Sequence, residues 1–266
     1  MPSGIEQILL AARHYCVANS SRLMEETDRA KVGSKCAIDK RGIAYRMLVL
    51  SAILDEIEAF VPSDFTSKEE AQQYIIEAIM TAHSIETEGP LPDVYEQCIR
   101  AERDNFRSYM LELTAEQMSQ VEMLPYRRVL AKREIDHLKK RMNSIWKIDY
   151  DYGFYPLSEY KPRNTEAFQE EYFHQEVGAN VIRDLLEDRG IHHVWELREF
   201  GSSYDMDSYW LSNKYPPETY WTSEAMDWLI YASHEDSITI SGWLLKKVIR
   251  YWKNWRKRIY PGSLFQ

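Results

Sequence analysis

Residues 233–237 read Ser-His-Glu-Asp-Ser, which puts an imidazole, two carboxylates and two hydroxyls within five positions. Such a cluster suits general acid–base work, with His234 moving the proton and Glu235 or Asp236 orienting it or ligating a metal. The plain alternative is a solvated turn whose Asp and Ser side chains hydrogen-bond their own backbone. The zinc-protease helix pattern needs a second His four positions after the first. Ile238 stands there, so that pattern fails.

Two Glu-x-x-His spacings, Glu134/His137 and Glu171/His174, are the candidate metal ligands. Residues i and i+3 share a helix face, and di-iron bundles combine two such pairs with two further glutamates. Glu58 and Glu77 are nominal donors for that role. Against this, glutamate is abundant here, and the pairs fall on either side of a change in composition. Lys and Arg also surround Glu134 and His137, so solvated helix faces explain both pairs as well.

The chain's last helix is basic and aromatic. Lys246, Lys247, Arg250, Lys253, Arg256, Lys257 and Arg258 accumulate along it, over an apolar stripe of Leu245, Val248, Ile249, Trp252 and Ile259. A face of this kind docks on nucleic acid, an anionic membrane or an acidic protein. The competing account is internal. Segment 192–242 carries nine acids against two bases, so the helix could neutralise its own domain. Trp210, Trp221 and Trp228 are the aromatic candidates for the same partner surface, because Trp dominates binding hot spots. With Trp195 and Trp243 they are equally at home in a core. A second basic strip, Arg127, Arg128, Lys132, Arg133, Lys139, Lys140 and Arg141, reads as a solvated helix face. His83 falls on an apolar helix face and His192-His193 at a strand start; neither is specific.

The elements that must carry these residues fall into two groups. Periodicity predicts helices at 4–27, 41–61, 68–86 and 92–113, a short one capped by Thr114, and a last one over 126–146. Ser3/Glu6 and Ser67/Glu70 have capping-box spacing. The helix at 41–61 carries the widest apolar arc, from Ile43 through Leu50 and Leu54 to Val61. That arc makes it the expected centre of a bundle, with Pro62 as its stop. Gly33, and Gly89 with Pro90, punctuate the connections.

After residue 145 the character changes. All eight tryptophans lie beyond it, while Cys16, Cys36, Cys98 and eight of ten methionines precede it. An aromatic stretch with Tyr150, Tyr152 and Tyr155 reads as extended, followed by a helix over 165–189 that Gly190 ends. Strands are predicted at 193–200 and 204–211, and a hairpin over 228–241. The last helix follows at 243–258. The expected fold is therefore α+β: a helical bundle at 1–145, then a smaller aromatic-rich α+β domain at 146–266 with a short antiparallel sheet and a C-terminal helix.

Composition narrows the function. The 266 residues carry a net charge of −9, which repels phosphate backbones in general. No stretch approaches the roughly 18–20 apolar residues of a membrane span. The three cysteines are far apart and fit a reducing, cytosolic setting. Phosphate-binding loops, dinucleotide glycine fingerprints, nucleophile elbows and paired Cys-x-x-Cys are absent, and no cofactor is expected. These features favour a non-enzymatic cytosolic interaction protein with a protein partner. In general profile the chain resembles toxin-neutralising or immunity-type bacterial proteins, a likeness of character that rests on no motif. The rival readings are a hydrolase working at residues 233–237 and a nucleic-acid-associated protein working through the basic helix.

Overall fold

The computed structural model describes residues 4–31, 40–82, 93–148, 153–158, 160–211 and 217–261. Ser3, Gly33, Cys36, His83, Gly89, Pro90, Tyr150 and Tyr152, all used in the sequence reading, lie outside them. The chain divides into two compact units, Met1–Leu124 and Pro125–Gln266.

In the first unit five helices are found among the described residues: α1 (Gly4–Lys31), α2 (Lys40–Ala59), α3 (Lys68–Thr81), α4 (Asp93–Glu112) and α5 (Ala115–Ser119). The start of α3 is set by Ser67, whose hydroxyl accepts the Glu70 N–H. The start of α5 is set by a reciprocal capping box between Thr114 and Gln117. The wide arc of α2 does what its width implies, because α2 packs against α1, α3 and α4. Leu50, Ile53, Leu54 and Ile57 are buried there with Ile8, Cys16, Ile75 and Phe106. Leu48, on the same helix, is 42% exposed, and Val61, expected to close the arc, lies past the end of the helix, 45% exposed.

The second unit is an antiparallel sheet with helices on both faces. Seven strands are found among the described residues, in the order β1-β4-β3-β5-β6-β7-β2. They are β1 (Arg127–Val129), β2 (Thr165–Gln169), β3 (His193–Arg198), β4 (Tyr204–Asp207), β5 (Thr219–Thr222), β6 (Trp228–Ala232) and β7 (Ser237–Gly242). Its helices are α6 (Lys132–Trp146), α7 (Glu170–Glu176), α8 (Gly178–Glu187) and α9 (Trp243–Tyr251). Alternation sorts the side chains of β6. Trp228, Ile230 and Ala232 join Phe173, Ile182, Leu186, Leu244 and Val248 in one core layer. Leu229 and Tyr231 join Leu138, Met142, Trp146 and Phe154 in the other. With both faces covered, β6 reads as the unbroken apolar run Trp-Leu-Ile-Tyr-Ala.

Several expectations are corrected. The sheet is larger than a short one because β1, β2 and β5 belong to it. Residues 126–146 are a strand followed by a helix, and 165–189 are β2 followed by α7 and α8. Residues 204–211 are β4 and a single 3-10 turn at Ser208–Trp210. The last helix stops at Tyr251, with a separate 3-10 turn at Trp255–Arg258. The α+β unit is the longer of the two, and it begins at Pro125 because α6 lays Leu138, Met142 and Trp146 on the sheet.

The charge divides with the fold. Residues 1–124 hold twelve Lys and Arg against twenty-one Asp and Glu, and residues 125–266 hold twenty-one of each. The acidity of the chain therefore belongs to the helical unit. Among the described residues, no helix is long and apolar enough to cross a membrane.

Candidate functional site

The hairpin of β6 and β7 closes through Ser233, whose N–H bonds the Ser237 carbonyl at 3.0 Å. The two serine hydroxyls bond each other at 2.8 Å and are buried. Asp236 takes a left-handed conformation, φ 52°, which a short polar side chain tolerates in a turn. This geometry pushes His234 outward, with 60% of its side chain exposed.

The partner that orients His234 comes from elsewhere. Glu218, immediately before β5, is buried, and its Oε1 lies 2.6 Å from His234 Nδ1. The same oxygen accepts the His234 backbone N–H at 3.0 Å. Its other oxygen accepts the hydroxyl of Tyr231, which stacks on Tyr220 with ring centroids 4.6 Å apart. Glu218 itself has φ 53°, a left-handed backbone that costs energy outside glycine. The Glu218 hydrogen bond, and behind it Glu235 and Glu199, raise the His234 pKa above 6.5. Burial, then Tyr220 and Glu218, push the Tyr231 phenol far up.

An imidazole held at Nδ1 by a carboxylate presents Nε2 as a base, the arrangement used in nucleophilic catalysis. Here Nε2 faces the Glu235 carboxylate at 3.3 Å. The nearby serine hydroxyls are buried and bonded to each other, and no hydrogen bond links either of them to the His234 ring. The sequence pointed to His234 but missed Glu218, sixteen positions away; only strand pairing between β5 and β6 brings them together.

Glu235 and Asp236 line an open cleft of about 670 Å³ with Glu170, Glu171 and His174. Two separate sequence candidates thus meet, tied by the Glu170 N–H on the Asp236 carbonyl at 2.9 Å. Burial first, then Glu235 and Asp236, push up the phenol of Tyr260 in the same wall. The ligating geometry is nevertheless missing. His174 Nε2 bonds Glu170 at 2.9 Å instead of pointing with Glu171, which accepts from Gln175. On α6, Glu134 takes both terminal nitrogens of Arg128, at 2.8 and 3.0 Å, while His137 is exposed. Glu58 is buried against Arg13, and Glu77 accepts from Gln73. Among the described residues, no group of three or more His, Cys, Asp or Glu is placed to hold a metal ion.

The tryptophan candidates separate by burial. Trp221 and Trp228 are core residues, 1% and 0% exposed, with their ring N–H groups on Glu196 and Ser223, so they offer a partner no surface. Their alternation on strands buried on both faces decides this. Trp210 is half-buried, bonded to the Pro125 carbonyl and covered by Arg127.

The basic residues of the last helix are placed by the core beneath them. Leu244, Leu245 and Val248 are buried, and the Trp252 ring N–H donates to Glu176 at 2.7 Å. Lys246, Lys247 and Arg250 therefore face solvent, followed by Lys253 just past the helix. All four make no ion pair or hydrogen bond among the described residues. Several of the nine acids of segment 192–242 pair with groups outside α9. Glu196 pairs with Arg198, Asp205 with Arg128, Glu218 with His234 and Asp227 with Arg189.

Comparison of the chain with protein-family models, with curated proteins and with solved structures finds no match.

Proposed function

We propose that this chain is a cytosolic, non-enzymatic protein-interaction module, and that it docks an acidic protein surface on the exposed cationic face of α9. The supporting observation is that Lys246, Lys247 and Arg250 on α9, and Lys253 just past it, have no ion-pair or hydrogen-bond partner among the described residues, while the opposite face of the helix is locked into the core. None of these four cations pairs with an acid of its own unit among the described residues, so no direct internal ion pair accounts for the strip. Exposed Tyr251 and half-buried Trp255, under Arg256 at 4.6 Å, border the strip with the side-chain types that favour interfaces. An acidic protein suits this unit better than nucleic acid does, because apart from these four cations it holds seventeen Lys and Arg against twenty-one Asp and Glu, and long phosphate backbones need an extended positive field. A toxin-neutralising or immunity role would be one biological setting for such docking.

The test is capture of partners from native lysate by the intact chain and by a K246E/R250E/K253E variant. Capture should be specific to the wild type and should weaken as salt is raised. Equal capture by both proteins would remove α9 from the interface. A gel shift abolished by the same variant, without protein capture, would favour the nucleic-acid reading.

A hydrolase at the hairpin is supported by the Glu218–His234 pair and weakened by the exposure of His234 and by the burial of Ser233 and Ser237 against each other.

A further inference from the structure

The sheet unit has a second open cleft, of about 720 Å³, whose walls are rich in N–H donors. Arg189 and His192 come from the connection between α8 and β3, and His193 opens β3. Ser223 to Asp227 come from the turn between β5 and β6, and Arg141 comes from α6. None of the sequence candidates for catalysis, metal binding or partner binding lies in it, and it is separate from the α9 docking face proposed above.

Each guanidinium is held in place without being fully consumed. Arg189 stacks 4.3 Å over the Trp243 ring and lies 3.8 Å from the Asp227 carboxylate. The Trp243 ring N–H donates to the other oxygen of that carboxylate, Oδ1, at 3.0 Å. Arg141 donates to the Glu224 carbonyl at 3.1 Å, a neutral acceptor that fixes the side chain and leaves its charge in place. The negative end of α8 is closed, because the N–H groups of Arg189, Gly190 and Ile191 cap the Leu186 and Glu187 carbonyls. The acidic side chains facing the cleft are Asp227, whose Oδ2 stands 3.8 Å from Arg189, and exposed Glu224.

We propose that this cleft binds the phosphomonoester group of a small molecule. Guanidinium groups match phosphoryl oxygens in paired hydrogen bonds. Two guanidinium groups from different walls suit the three terminal oxygens of a phosphoryl group, whereas one fork already fills a carboxylate. His192 and His193 add imidazole donors, and Ile191 and Ala225 supply apolar wall for the body of the ligand. The volume lies in the range of small-molecule sites.

Calorimetric titration of the intact chain with phenyl phosphate, inorganic phosphate and benzoate tests this. Both phosphates should bind saturably, and benzoate at least about ten-fold more weakly. R141Q and R189Q should each lower phenyl phosphate affinity by about ten-fold or more. Circular dichroism reports whether each variant is folded. Should R189Q lose its fold, R141Q and H193N carry the comparison, each expected to weaken binding. The proposal is overturned if neither phosphate binds saturably, if the folded variants bind as the wild type does, or if benzoate binds as tightly as phenyl phosphate.

Discussion

Glu218 and His234 are sixteen residues apart in sequence, yet one carboxylate oxygen of Glu218 holds both the backbone N–H and the ring Nδ1 of His234, at 3.0 and 2.6 Å. The contact joins the entrance of β5 to the turn after β6, and the Tyr231 hydroxyl secures the other oxygen of the same carboxylate. It is the centre of a polar knot at the end of an otherwise apolar strand pair.

The raised His234 pKa has a direct consequence for stability. A folded-state value above the unfolded 6.5 means that folding takes up a proton as the pH approaches it. The stabilisation is complete below about pH 6.5 and is lost as pH rises through the raised folded value. NMR titration should show the His234 ring titrating above 6.5 in the wild type and lower in E218Q. The melting-temperature gap between wild type and H234Q should shrink from pH 6 toward alkaline pH. A gap that widens instead would contradict the pairing.

The helical unit buries a charge pair. Arg46 Nε lies 2.7 Å from Glu102, whose side chain is 1% exposed. The same carboxylate, after burial, helps to push the Tyr15 phenol up to about 12. R46M should destabilise by about 3–5 kcal/mol because it strands a buried carboxylate, whereas R46M/E102M should recover most of the loss. Urea unfolding checks both. A cost under about 1 kcal/mol for R46M would mean that water reaches Glu102.

Leu54→Ala should cost about 2–5 kcal/mol in the same assay, because Leu54 is 8% exposed in the core of the bundle. The exposed Leu48 of the same helix provides the contrast. Leu48→Ala should change stability by no more than about 0.5 kcal/mol.

Gly242 joins β7 to α9 with φ +75°, and a Cβ there would sit 2.1 Å from the Asp227 carbonyl oxygen. Gly242→Ala should therefore cost at least about 2 kcal/mol, combining backbone strain with a clash against main chain. Since α9 begins at the next residue, the variant should also lose α9-dependent capture. A native melting temperature for this variant would show that the junction can rearrange.

Local signals were readable wherever one element specifies itself. The i, i+3, i+4 spacing of Leu50, Ile53, Leu54 and Ile57 located α2, and Ser67 and Thr114 located the starts of α3 and α5. The alternation around residues 228–241 located the β6–β7 hairpin. Short strands without their own punctuation were not legible. Thr165–Gln169 runs into Glu170–Glu176 with no Gly or Pro between, so β2 merges with the helix after it. β1 and β5, of three and four residues, have too little pattern to show a period.

By itself, the sequence determined the α+β class, the central helix, the hairpin and the residue types gathered near the chain's end, because these follow from contacts within a few residues. Tertiary structure alone decided that Trp221 and Trp228 are core, that Glu134 belongs to Arg128, that Glu218 holds His234, and that Lys246, Lys247, Arg250 and Lys253 stand unpaired. The physical reason is the same in each case. Burial and pairing depend on which distant strand or helix arrives opposite a side chain, and spacing along one segment does not encode that neighbour.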